Sequence, residues 1–159
     1  MQNAAPGQET DVTRTMKAET ANAIVESLEL ASERLGDLTP QVYAALFHDY
    51  PEMKPLFWRD TTGAIKGEML AKVFEIILDY VGDNLFASNM IQCEVVTHSG
   101  YDVPPEVFRV FFGVVAKTLR AGLGADWTRE FDEAWKQLLD ALDYFVTHPD
   151  QSETALLST

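Results

Sequence analysis

The chain has 159 residues, enough for one domain with its own core and too few for a second of similar size. Hydrophobic residues make up 47% of it, which excludes wholesale disorder. Acidic residues number 25 against 12 basic ones, a net charge of −13, so the surface repels nucleic acid and anionic membranes; no nucleic-acid or membrane partner is expected.

Residues 1–18 mix Gln, Asn, Thr, Gly and Pro without period and read as a flexible arm. They contain no hydrophobic stretch of the kind a signal peptide carries. The single cysteine, Cys93, rules out an internal disulfide and fits a reducing compartment, so the expected location is the cytoplasm. Its expected role is that of a small buried hydrophobe.

Residues 19–147 read as the folded domain. Ile24, Leu28, Ala31 and Leu35 recur at helical spacing, and Gly36 supplies a stop. Thr39 then reads as an N-cap with Pro40 at the first helical position. Tyr43, Leu46, Phe47 and Tyr50 form the next apolar stripe, which Pro51 breaks into a short turn ending at Phe57. Trp58 to Ala64 carries loop residues. Leu70, Val73, Phe74, Ile77, Tyr80 and Val81 predict a long helix ended by Gly82-Asp83-Asn84. A shorter helix is expected over Leu85 to Ser99, followed by Gly100 and the Pro104-Pro105 pair. Phe108, Phe111, Phe112, Val115 and Leu119 define a strongly apolar helix closed by Gly122 and Gly124. Thr128 caps a last helix whose buried face is Phe131, Trp135, Leu138, Leu139, Leu142 and Phe145. Residues 148–159, opening on His148 and Pro149, read as a second flexible segment. With no alternating run of strand type, the expected class is all-α, about seven amphipathic helices joined by short connections.

Three blocks then resemble one family. Tyr43 to Phe57, with a helix ending at Pro51 and a phenylalanine six residues on, is similar to the second helix and following corner of globins. His98-Ser-Gly-Tyr-Asp-Val103-Pro-Pro105-Glu106-Val-Phe108 resembles the proximal segment of single-domain bacterial globins and of the haem domain of flavohaemoglobins: a histidine, a branched aliphatic five positions on, a Pro-Glu pair and an aromatic. Gly124-Ala-Asp-Trp127-Thr128 with Ala134-Trp135 is similar to the last turn and helix. The resemblance runs from Val25 to Phe145. It implies a globin fold around haem b (iron protoporphyrin IX) and reversible binding of dioxygen or another diatomic gas, in sensing, storage or detoxification.

The resemblance implies His98 as the iron ligand and Phe57 as the ring packed on the haem face, with Val103 and Phe108 also contacting the cofactor. Read from chemistry alone, His98 is either a neutral imidazole on a helix facing an apolar slot or a surface histidine favoured by the helix C-terminus. Tyr43 falls where the family carries a distal tyrosine whose hydroxyl donates to the bound gas. An ungapped count back from His98 places Lys66 at the position usually held by a distal His or Gln, with Leu70 one turn further in. A charged lysine accepts no hydrogen bond and is costly to desolvate, so Lys66 is expected to reach a haem propionate. A one-residue slip would put Ile65 or Gly67 there instead. Met69 and Leu70 are expected as apolar pocket wall, not as iron ligands.

Flavohaemoglobins carry a tyrosine where this chain has Phe108, which weakens an expectation of nitric-oxide dioxygenase activity. Any such turnover would draw electrons from an external reductase. His48 and His148 are expected to be solvated. A homodimer is compatible with the sequence, and a haem-free globin-like signalling or interaction module is the alternative reading.

Overall fold

The computed structural model describes residues 17–99 and 106–147, and among them every regular element is helical, as expected for the all-α class. The order is α1 Ala18–Leu35, α2 Thr39–Asp49, a 3-10 helix Pro51–Phe57, α3 Ala64–Val81, α4 Ala87–Ser99, α5 Glu106–Leu123, a 3-10 turn Gly124–Asp126, and α6 Arg129–Thr147. Val103, the Pro104-Pro105 pair, His148 and most of the two expected arms lie outside the described residues.

Local chemistry explains most of the boundaries. Gly36 ends α1 with φ +63°, a left-handed conformation that side chains with a Cβ disfavour. The start of α2 differs from expectation. Thr39 lies inside the helix, and Asp37 does the capping, accepting hydrogen bonds from the Thr39 backbone N–H at 3.0 Å and its hydroxyl at 2.7 Å. The start of α4 also moves, from Leu85 to Ala87. The Asp79 carboxylate, in the last turn of α3, accepts the N–H groups of Leu85, Phe86 and Ala87 at 3.2, 2.9 and 2.7 Å. One side chain thus satisfies donors that a helix start leaves without intrahelical partners. Thr128 caps α6 as expected, accepting the Phe131 N–H at 3.1 Å.

The core sits where α1, α5 and α6 pack on one another. Phe131, Trp135, Leu138, Leu142 and Val146 recur along one face of α6, and Lys136, Gln137 and Asp140 occupy the other. Ile24, Val115, Leu119, Leu138 and Leu142 are fully buried. Each such side chain contributes about 1.5–3 kcal/mol relative to exposure. Trp135 is buried with its indole N–H donating to Ser27 Oγ at 2.9 Å, and that hydroxyl donates to the Ile24 carbonyl at 2.7 Å. At Gly122 a Cβ would lie 2.6 Å from Leu35 Cδ1, so glycine permits the close approach of α5 to α1.

Cys93 is exposed, against expectation, because it lies on the outer side of α4 while Ile91 and Val95 face the core. Val96 is likewise exposed. Among the described residues no helix is long and apolar enough to cross a membrane.

Candidate functional site

A cavity of about 560 Å³ opens between the 3-10 helix with its following loop, α3, α4 and α5. Ile65, Met69, Lys72, Val73 and Ile76 line it from α3 at helical spacing. Ile91, Glu94 and His98 line it from α4, and Val107, Phe108, Phe111 and Phe112 from α5. Phe57 closes one end, held edge-on against Tyr43 and Phe47 with ring centroids 5.4 and 5.6 Å apart. The wall is predominantly aliphatic and aromatic. Its charged members are Arg59, Asp60, Lys72 and Glu94.

His98 occupies the last turn of α4, its side chain only 23% exposed and turned to the cavity wall rather than out to solvent. Its Nδ1 lies 2.8 Å from the backbone carbonyl oxygen of Glu94, one turn back. A carbonyl only accepts, so Nδ1 carries the proton, and in the neutral imidazole the lone pair is then on Nε2. Phe108 meets the imidazole edge-on at 5.0 Å and fixes the ring plane.

Tyr43 is buried, and its hydroxyl donates to the Lys66 carbonyl at 3.1 Å. Burial, and then the charge of Asp60, push its phenol well above the ordinary value. Asp60 organises this corner. Its carboxylate, almost fully buried, accepts the N–H groups of Lys66 at 2.9 Å and Ile65 at 3.2 Å and lies 3.7 Å from the Lys66 ammonium. Burial acts to raise the Asp60 carboxyl, but these N–H groups and the ammonium outweigh it and hold the group below its usual range.

The expected site residues therefore divide. His98, Phe57 and Phe108 meet in one cavity. Tyr43 stands behind Phe57, outside the lining. Lys66 also lies outside it, its ammonium between Asp60 and the face of Phe57, 5.9 Å from the ring centroid. Leu70 is buried in the core instead of the cavity wall. The α3 face that does reach the cavity is the neighbouring one, with Ile65 and Met69. Val103 lies outside the described residues.

Residues 40–144, about two thirds of the chain, match the family model described as Globin. The chain belongs to the globin family. No curated protein and no solved structure matches it at a significant level. In this globin Lys72 and Glu94 are cavity residues that sequence reasoning missed. Lys72 Nζ lies 3.0 Å from Glu94 Oε1, so the pair joins α3 to α4. The i, i+4 spacing of Glu94 and His98 was the signal that could have found one of them.

Proposed function

We propose that this globin binds haem b through His98 and reversibly takes a diatomic gas, dioxygen or nitric oxide, in sensing, storage or detoxification. The observation that carries the reading is an imidazole whose Nδ1 is committed to a carbonyl at 2.8 Å, set in the wall of a mainly apolar cavity. A metal-binding histidine is commonly fixed in just this way, through its other ring nitrogen. The volume and the aromatic lining suit a large flat apolar guest. Haem, when bound, would supply an iron able to take a small ligand.

The chain's own residues have separate tasks. His98 offers Nε2 to the iron. Phe57, Val73, Ile76, Phe108 and Phe111 line the cavity and would exclude water from a bound cofactor. Arg59, at the cavity margin and stacked on Trp58 at 4.8 Å, offers a cation to the cofactor's carboxylates. Tyr43, behind Phe57, carries a hydroxyl that would have to leave the Lys66 carbonyl to meet a gas. A neutral hydrogen bond of about 0.5–1.5 kcal/mol would be exchanged for a charge-assisted one of about 1.5–3 kcal/mol, so a polarised ligand such as dioxygen gains from the turn. Phe108 has no hydroxyl to add to the proximal side, which favours binding over nitric-oxide dioxygenation. Any oxygenase turnover draws electrons from an external reductase.

Titrating the purified protein with haem while recording the visible spectrum tests the reading. A Soret band that saturates at one haem per chain, and a changed axial-ligand spectrum in His98→Ala, are expected. A flat titration overturns the proposal and leaves a haem-free interaction module as the function of the fold.

A further inference from the structure

Glu94 presents both of its carboxylate oxygens to residues of the cavity wall. Oε2 lies 3.4 Å from His98 Nδ1, and Oε1 lies 3.0 Å from Lys72 Nζ. The backbone carbonyl of the same residue, at 2.8 Å, remains the nearer acceptor for the single Nδ1 proton. The carboxylate is therefore a charged neighbour of the N–H that the carbonyl accepts. Glu94 and His98 side chains are each about three-quarters buried, with exposures of 24% and 23%, so solvent screens their contact only in part. Lys72 reaches the carboxylate from α3, and the hydrogen bond it donates to Glu94 holds its ammonium above the ordinary value, aided by Glu75 and Glu68 on its own helix. On the other flank of the imidazole stands Phe108, which carries no polar atom.

Negative charge at Nδ1–H makes an imidazole a stronger donor at Nε2, and this is how partners beyond the ligand tune a bound metal. We propose that Glu94 is a positioning residue that strengthens electron donation from His98, and that Lys72 restrains it by holding the same carboxylate. The two walls of the cavity would thereby tune the bond from His98 to iron jointly. The proposal rests on ligation of iron by His98, and the experiment separates the two.

Glu94→Gln keeps the side-chain shape and removes the charge, whereas Lys72→Met removes the competitor. In the haem-free protein, proton NMR of the His98 Nδ1–H is expected to shift upfield in Glu94→Gln and downfield in Lys72→Met. In the haem-loaded ferrous protein, resonance Raman is expected to place the iron–histidine stretch lower in Glu94→Gln and higher in Lys72→Met. The double variant should match Glu94→Gln alone. Shifts in the same direction for both single variants, an unmoved stretch, or a Lys72→Met effect that survives in the double variant overturns the proposal. Absence of any iron–histidine stretch in the unmodified protein overturns the ligation reading itself and the proposal with it.

Discussion

The core where α1 and α6 pack on α5 and the region around α3 and α4 solve opposite problems, and α5 borders both. In the first, apolar faces meet apolar faces, and the indole N–H of Trp135 is satisfied by Ser27 within the core. In the second, apolar side chains face a cavity, and charged groups stand at its margin. The first gains stability from closing on itself. The other holds surface in reserve for a guest and keeps its helices in place with polar contacts at their ends, from Asp60 and Asp79. Folding energy and binding capacity are thus concentrated in different places and share the buried face of α5, an arrangement that lets a binding site remain open without unfolding the protein.

Three substitutions probe that division. The largest effect is expected at Trp135→Ala, which should cost about 3–5 kcal/mol in urea denaturation through lost burial and a cavity. The His98 Nδ1–H resonance should not move, and a cost below about 1 kcal/mol would break the comparison. Tyr43→Phe keeps the ring contacts with Phe57 and Phe111 but removes the donor to Lys66, so about 0.5–1.5 kcal/mol is expected by the same measurement. A loss as large as that of Trp135→Ala would mean that the distal corner belongs to the stabilising core. The smallest effect is expected at Asp60→Asn, a loss present toward neutral pH that vanishes in acid. The Asp60 carboxyl ionises more readily in the folded chain than its ordinary value of 3.8, so its contribution is complete above that value and fades as pH falls through the lower folded one. Melting temperatures followed from about pH 5 to about pH 2 should fall less steeply in the variant. Parallel curves would remove Asp60 from the account of the α3 start.

What could be read from sequence follows the same division. The stripes of α1, α5 and α6 are legible because burial against a continuous core imposes a period, and Ile24, Phe111, Phe131 and Trp135 obey it. His98, Phe57 and Phe108 are legible because prolines and glycines punctuate the chain beside them. The distal wall is not. Counting back from His98 assumes a fixed length for the α3–α4 connection, and a small error there rotates the expected face of α3 by about 100° per residue. Of the positions so bracketed, Ile65 and Met69 line the cavity and Lys66 and Leu70 do not. Glu94 and Lys72 escaped notice because an acid and a base on two amphipathic helices look like ordinary solvated surface until the helices are set side by side.

Asp79 binds three successive N–H groups at the turn between α3 and α4, so the spacing of these two walls is decided at their shared corner before any guest arrives. A gap whose width is set by its own frame favours visitors of one thickness.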